Sequence, residues 1–270
     1  MKKIISFIVI ILIWILIILI NKKDDVMEKK EKDLYQEYVF YKEEKRTEYI
    51  NYQKKTSLPI RQAIINVNIG LNRPFYTLTK KANNPNSLTV LVNKYNYLEE
   101  NFVPDNLVDT TEYAKATLKL KEDAYKAFID MAKAIEKENM HIRIVSAYRG
   151  YDYQKNLYNN YLKYEPIEKV DTYSARAGYS EHQTGLAIDI DNTKINYNKF
   201  HLTNEFSWMK KNAYKYGFIL RYPLSKEKIT GYKYEPWHYR YIGKEIAEYI
   251  YLNDLTYDEY YYEFIDPKSK

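Results

Sequence analysis

The feature that most restricts how this chain can fold is a long apolar segment near its start. Residues 4–20 include a single residue that is not strongly apolar, and lysines flank the segment on both sides. As a helix it would extend about 26 Å, close to the minimum needed to span the hydrocarbon core of a bilayer. A cleaved signal peptide needs small residues at its cleavage site, but the first alanine is Ala63 and the first glycine is Gly70. We therefore predict an uncleaved single-pass transmembrane helix, a membrane anchor within residues 1–23, whose orientation the flanking lysines leave open.

The composition of the 270-residue chain limits the chemistry that it can carry out. There is no cysteine, which excludes disulfide bonds, thiolate metal sites, cysteine nucleophiles and a lipidated N-terminal cysteine. Any metal site must therefore use histidine, aspartate or glutamate, and the chain has only four histidines. Its 42 lysines and arginines exceed its 36 aspartates and glutamates without forming a basic stripe. We therefore expect no nucleic-acid partner.

Two further segments follow the predicted anchor. Residues 24–57 are dense in charge, with apolar residues at loosely helical intervals, and they predict a charged helical stalk or linker. Residues 58–270 alternate helical and strand-like patterns, which predicts an α+β domain with a small mixed or antiparallel sheet flanked by helices. The predicted strands are 142–147, 186–190 and 218–222, and the predicted helices are 112–138, 151–164, 205–216, 243–252 and 256–264.

The residues suited to chemistry concentrate in two short segments. His182 lies seven residues before Asp189, and Glu235 lies three residues before His238. On a continuous helix the first pair would be about 10 Å apart along the axis, too far to share an ion. Gly185 and the strand-like run after it instead predict a turn into a strand, which folds the imidazole back over the carboxylate.

Two imidazoles and one carboxylate are typical of a catalytic zinc site, in which a fourth position is left for water or substrate. Glu235, beside a ligand but not needed as one, has the chemistry of a general base. Each of these residues taken alone is more often structural. Their combination, which uses half of the histidines in the chain, favours a site for one zinc ion.

The two segments also carry a family resemblance. Residues 180–189 fit the pattern S-x-H-x-x-G-x-A-x-D and residues 235–238 fit E-x-W-H. The chain thereby resembles the zinc D-alanyl-D-alanine carboxypeptidases of the VanY type, which are related to lysostaphin-like peptidases and to the hedgehog fold. Flanking segments extend the resemblance to about residues 60–265; they are 91–94, 103–108, 146–149 and 216–223.

The resemblance implies a hedgehog-like D-Ala-D-Ala peptidase fold and a role for each matching residue. Zinc would be bound by His182, Asp189 and His238, with Glu235 as the catalytic base. Arg149 would hold a substrate carboxylate or a developing oxyanion, because its guanidinium stays charged and offers a planar fork. The implied substrate contacts are Ser146, Tyr148, Arg149, Gln154, Ser180 and Trp237.

The function expected from the residues and the resemblance together is that of a membrane-anchored zinc carboxypeptidase. It would remove the terminal D-alanine from peptidoglycan stem peptides, with its catalytic domain outside the cell on a Gram-positive-like envelope. An L,D-carboxypeptidase or a stem-peptide endopeptidase of the same fold remains open. So does a non-catalytic, zinc-containing module that binds the cell wall, although the presence of Glu235 disfavours it.

Overall fold

The computed structural model of the chain describes residues 14–22 and 34–269, in two compact units that divide between Val67 and Asn68. Residues 14–22 form a helix whose apolar side chains are exposed. The rest of the predicted anchor and the first part of the predicted stalk lie outside the described residues. Within the described ranges, no helix is both long enough and apolar enough to cross a membrane.

The first unit contains a helical segment with a buried aromatic cluster. A 3-10 turn at Glu43–Lys45 leads into the helix Arg46–Thr56, and the next helix, Ile60–Ile69, begins in this unit and ends at the second residue of the other. The rings of Tyr35 and Tyr49 are buried and stack with their centroids 6.5 Å apart. Part of the predicted stalk is therefore helical.

The second unit is built around an antiparallel sheet of four strands. Among the described residues the strands are β1 (Lys80–Lys81), β2 (Asn96–Tyr97), β3 (Leu107–Thr110), β4 (Leu118–Lys121), β5 (Arg143–Ser146), β6 (Ala187–Asp191), β7 (Phe218–Leu220) and β8 (His238–Tyr241). β1 pairs in parallel with β2, and β3 pairs antiparallel with β4. The other four form the main sheet, in the order β5-β6-β8-β7. The prediction of an α+β domain with a small sheet is confirmed.

Helices and the main sheet share one hydrophobic core. Phe128 and Met131 project from a helix into the same buried cluster as Ile144 of β5 and Ile188 of β6. β6 is buried along its whole length, so both of its faces are covered. The helices of this unit are Glu122–Glu136, Tyr151–Leu162, Ile167–Val170, Asn204–Asn212, Glu227–Thr230, Lys244–Leu252 and Tyr257–Tyr260, the last continued by a π-helical turn at Tyr261–Ile265.

The start of the helix predicted at residues 112–138 is wrong. The helix begins only at Glu122, and the residues before it form an irregular segment with bends, followed by β4. The sequence of β4, Leu-Lys-Leu-Lys, alternates with the period of a strand, and its pairing with β3 satisfies the backbone groups that a helix would otherwise have used. The helix predicted at 205–216 likewise ends at Asn212 and continues as a 3-10 turn, Ala213–Tyr216.

Candidate metal centre and active-site cleft

The register of the main sheet brings three of the predicted site residues side by side. After a bulge in β5, Ser146 pairs with Asp189 of β6, and Asp189 pairs with His238 of β8. Residues directly opposite each other in an antiparallel pair point to the same face of the sheet. Asp189 therefore projects between a residue of each neighbouring strand.

His182 reaches this row from a tight turn, as the sequence predicts. The turn is a 3-10 helix, Glu181–Thr184, which ends at Gly185 in a left-handed conformation with φ of 66°. The His182 imidazole is buried, and its Nε2 lies 3.3 Å from Asp189 Oδ2. Its Nδ1 lies 2.6 Å from the carbonyl oxygen of Ala147. Because a carbonyl only accepts, Nδ1 carries the proton and the Nε2 lone pair faces the aspartate.

His238 presents its other ring nitrogen to the same carboxylate. Its Nδ1 lies 3.1 Å from Asp189 Oδ1, and its ring stands at 89° to that of His182 with the centroids 4.9 Å apart. Donor atoms of His182, Asp189 and His238 all lie within 4.8 Å of one another. Asp189 Oδ1 is buried and has no hydrogen-bond partner among the described residues, which leaves it available to a cation. The donor set of two imidazoles and one carboxylate fits a zinc ion.

Glu235 lies beside this donor set, and burial controls its protonation. Its Oε2 is 3.7 Å from His238 Nδ1, and the backbone N–H of His238 donates to the Glu235 carbonyl at 3.1 Å. Burial raises the pKa of Glu235 to about 8, although the neighbouring His238 opposes this. A carboxyl group that exchanges its proton near neutral pH suits general acid–base chemistry.

Burial and the neighbouring charges strongly shift the pKa values of the three donor residues. Burial and the nearby Arg149 cation lower the pKa of His182 to about 4, so its imidazole is neutral at physiological pH. Burial would also lower the pKa of His238, but the neighbouring carboxylates of Asp189 and Glu181 raise it to about 9. Burial raises the pKa of Asp189, but His182 and His238 together outweigh this effect and hold the pKa well below the usual range. Asp189 is therefore ionised, as a metal ligand must be.

Arg149 is held at the edge of a cleft that opens onto these residues. The cleft has a volume of about 390 Å³, and Arg149, Gln154 and the donor residues line it. Arg149 Nη1 donates to Ser146 Oγ at 2.8 Å and lies 3.5 Å from Asp189 Oδ2, while its Nε donates to Gln154 Oε1 at 3.2 Å. Gln154 is buried and donates in turn to the Ala175 carbonyl at 2.7 Å. These contacts fix the direction of the guanidinium.

The remaining predicted contact residues divide into two groups. Ser180 and Trp237 line the cleft, and the Trp237 ring packs edge-on against Tyr197 with the centroids 5.1 Å apart. Tyr148 lines neither this cleft nor the cavity of about 520 Å³ that continues beyond Arg149. The structure therefore brings all the predicted contact residues except Tyr148 to the cleft or to its continuation.

Sequence reasoning missed a group of buried charges behind the donor set. Glu181 is fully buried and pairs with Arg221 and Arg240, which are also fully buried. A signal was present, because Arg240 stands in β8 and Arg221 directly follows β7, both among apolar or aromatic residues, where an arginine is rare unless it is paired. The sequence pattern around the two arginines did not reveal that their partner is Glu181.

Comparison with known proteins places the chain in a family. The sequence model of the VanY family, described as D-alanyl-D-alanine carboxypeptidase, matches residues 117–244. The putative carboxypeptidase YodJ of Bacillus subtilis (strain 168) is 42% identical over 189 residues, which cover 66% of this chain and 68% of YodJ. The chain belongs to the VanY family of D-alanyl-D-alanine carboxypeptidases. It spans about half the length of the D-alanyl-D-alanine carboxypeptidases of Enterococcus faecium and Enterococcus faecalis that it matches.

Solved structures of similar proteins have the same fold. The LD-carboxypeptidase LdcB is 40% identical with a TM-score of 0.64, over 68% of this chain and 89% of LdcB. A variant of the vancomycin-resistance D,D-pentapeptidase VanY, solved in complex with Zn(II), is 31% identical with a TM-score of 0.55, over 64% of this chain and 97% of that protein. These two similar proteins of known structure are therefore named for two different bond types.

Proposed function

We propose that this chain is a zinc-dependent carboxypeptidase that removes the terminal D-alanine from peptidoglycan stem peptides. The observation that carries the proposal is the convergence of His182, Asp189 and His238 within 4.8 Å, with Glu235 beside them. The name of the VanY family and the zinc-bound structure of a VanY relative support the same activity.

The protein side chains divide the work of hydrolysis among them. His182, Asp189 and His238 would hold the ion, which when bound supplies a Lewis acid that polarises the scissile carbonyl and makes water nucleophilic near neutral pH. Glu235 takes the proton of the attacking water on its carboxylate and passes it to the leaving amine. Arg149, oriented by Ser146 and Gln154, holds the terminal carboxylate of the substrate.

Mass spectrometry of muropeptides tests this function directly. The full chain is incubated with purified stem peptides, with and without a chelator, and we expect loss of a single C-terminal alanine that the chelator abolishes and added zinc restores. Cleavage at internal bonds would instead indicate an endopeptidase. Zinc binding without any cleavage would indicate a wall-binding module.

A second candidate activity, L,D-carboxypeptidase, is favoured by one observation. The LD-carboxypeptidase LdcB is 40% identical to this chain, whereas the D,D-pentapeptidase VanY variant is 31% identical. The two activities differ in the residue that precedes the terminal D-alanine. Initial rates on pentapeptide and tetrapeptide stems, measured in separate incubations, decide between them: a D,D-enzyme trims the pentapeptide faster, and an L,D-enzyme trims the tetrapeptide faster.

We further propose that residues 4–20 anchor the protein in the cell membrane, with the catalytic domain outside the cell. Support comes from the apolar composition of this segment, the late first alanine and glycine, and the location of peptidoglycan outside the membrane. N-terminal sequencing of the mature protein is expected to begin before residue 4, and external protease is expected to remove the domain from intact cells. A mature terminus after residue 20, or a domain shielded from protease, would contradict the proposal.

A further inference from the structure

Behind the donor set, one carboxylate is buried between two cations. Glu181 is 1% exposed, and its Oε1 accepts from Arg221 Nε at 2.8 Å and from Arg240 Nη1 at 3.0 Å. Both guanidinium groups are buried as completely as the carboxylate. Buried charges are tolerated only when they are paired and hydrogen-bonded, so this arrangement fixes the position of Glu181 tightly.

The other oxygen of the same carboxylate faces a metal-site histidine. Glu181 Oε2 lies 3.7 Å from His238 Nε2. Both atoms are buried, and neither has a hydrogen-bond partner within residues 14–22 and 34–269. A buried polar atom without a partner is costly, and here two such atoms, one able to donate and one able to accept, face each other. A hydrogen bond between them, with Nε2 as donor and Oε2 as acceptor, would satisfy both atoms at once.

The two arginines are fixed from outside the site. Arg221 Nη1 donates to Asp258 Oδ2 at 2.6 Å, and Asp258 Oδ1 accepts from Asn93 Nδ2 at 2.7 Å. Arg240 Nη2 donates to the carbonyl oxygens of Leu88 and Val90, each at 2.9 Å. Asn93 and Asp258, which hold Arg221 in place, lie before and after the segment that matches the VanY family model, residues 117–244. Regions outside the matched segment thus hold the carboxylate in place.

We infer that Glu181 is a positioning residue for the metal site. Held by Arg221 and Arg240, it accepts the Nε2 proton of His238 and so keeps the Nδ1 lone pair of that ring directed at Asp189 and the ion. Partners of this kind fix the tautomer and the orientation of a metal-bound imidazole. The inference rests on the zinc site of the proposed function, but it concerns metal affinity and the His238 tautomer rather than turnover.

Zinc affinity measured by chelator competition tests this role in the full chain. In the variant Glu181→Gln, the amide is a weaker acceptor than the carboxylate, and we expect zinc to bind roughly 10- to 100-fold less tightly. The matched control is Glu205→Gln, which makes the same change at another buried carboxylate, one that accepts from Asn192 Nδ2 at 3.1 Å. An equal zinc affinity in wild type and Glu181→Gln would overturn the inference, as would an equal loss in both variants.

A second measurement needs no variant at position 181, so it stands even if Glu181→Gln fails to fold. Long-range ¹H–¹⁵N spectra of the zinc-loaded full chain report which ring nitrogen of each histidine carries a proton. The variants His141→Gln and His201→Gln identify the two rings outside the site, and the contact of the His238 ring with the Tyr222 ring, at 4.9 Å between centroids, distinguishes His238 from His182. We expect the proton on Nε2 of His238 and on Nδ1 of His182. A proton on Nδ1 of His238 would overturn the inference. Absence of D-alanine release with the expected tautomers and affinities would instead overturn only the proposed function.

Discussion

Three carboxylates surround His238, and the structure gives each a different relation to its ring. Asp189 Oδ1 is 3.1 Å from Nδ1, Glu235 Oε2 is 3.7 Å from the same nitrogen, and Glu181 Oε2 faces Nε2. Asp189 and Glu235 thus share one side of the ring, where the ion is expected, while Glu181 lies on the opposite side. Substituting each carboxylate in turn can therefore separate the roles of ligand (Asp189), base (Glu235) and positioning group (Glu181).

The first prediction separates metal binding from proton transfer. Glu235→Gln removes the basic oxygen without removing a ligand, so we expect stoichiometric zinc by elemental analysis and a turnover that is roughly 10²- to 10⁴-fold lower. His182→Ala removes a donor atom, so we expect that variant to lose the metal as well as the activity. Near-normal turnover in zinc-loaded Glu235→Gln would show that another group moves the proton.

The second prediction concerns how Arg149 recognises the end of the substrate. Its contacts to Ser146 and Gln154 aim a planar, permanently charged fork at the cleft. Lysine would keep the charge but lose the fork, so Arg149→Lys should lower kcat/KM and Arg149→Ala should lower it further. Amidation of the substrate C-terminus should then harm the wild type much more than Arg149→Ala, because that variant has already lost the contact. Equal penalties in both proteins would mean that the carboxylate is recognised elsewhere.

At the scale of single residues, the sequence predicts the residues of the two motifs better than it predicts the residues that hold them in place. His182 and Asp189 are linked by a turn only a few residues long, so the local pattern around Gly185 is enough to predict that they meet. Glu181, one residue before His182, finds its arginine partners 40 and 59 positions along the chain. Such pairings depend on how strands are ordered in the sheet, which local periodicity does not contain.

The turn between the helical and strand segments of the site is the element on which the metal geometry depends. Gly185 adopts φ of 66°, and a Cβ atom placed on it would lie 2.8 Å from Leu107 Cδ2 and 3.3 Å from Pro104 Cγ. Its carbonyl accepts the N–H of Lys121 at 2.8 Å, which ties the turn to β4. Both the backbone angle and the close neighbours therefore require glycine at this position.

The third prediction follows from this requirement. Gly185→Ala places a side chain in the left-handed region and against Leu107, so we expect the free energy of unfolding in urea to fall by about 1–3 kcal/mol. Gly150→Ala is the matched control: Gly150 has φ of −67°, and its nearest contact to an added Cβ is the Tyr148 hydroxyl at 3.2 Å. Comparable stability in the two variants would show that the turn tolerates a side chain.

Most helices and strands are predictable from the sequence because the apolar residues of each recur at the spacing typical of a helix or of a strand. The strand predicted at 186–190 and the helix predicted at 151–164 correspond to Ala187–Asp191 and Tyr151–Leu162. The error at residues 112–121 arises because glutamate, alanine and lysine favour helices in isolation, whereas pairing of β4 with β3 uses the same backbone groups. Tertiary pairing thus outweighs local preference at the start of that helix.

At the scale of the whole molecule, one buried lysine was not predictable from the sequence. Lys94 is 2% exposed, and its ammonium lies 4.2 Å from the ring centroid of Tyr232, 5.0 Å from that of Tyr76 and 5.2 Å from that of Phe75. It also donates to the carbonyl oxygen of Asp171. Lysine is among the residues that are least often buried, and its partners come from distant parts of the chain.

Burial lowers the pKa of Lys94 to about 8, from an ordinary value of 10.5, although Asp171 opposes the shift. Between these two values the unfolded chain binds a proton that the folded chain has released. Stability therefore rises with pH across this window, and the cost of burying the charge is fully present below about pH 8. Raised pKa values of buried tyrosines such as Tyr232 act in the opposite direction above about pH 10, so the informative range ends there.

The fourth prediction compares the pH dependence of unfolding in three proteins. Relative to Lys94→Met, the wild type should gain roughly 2 kcal/mol in the free energy of unfolding between pH 8 and pH 10, because only the wild type relieves a buried charge over that range. Lys133→Met removes an exposed lysine and should follow the wild type in its pH dependence. Urea titrations at pH 8, 9 and 10 provide the comparison, and differences between proteins cancel the contribution of the tyrosines that they share. Parallel curves for the wild type and Lys94→Met would show that the Lys94 ammonium keeps its proton throughout, so that the three rings and the Asp171 carbonyl stabilise the buried cation as well as water does.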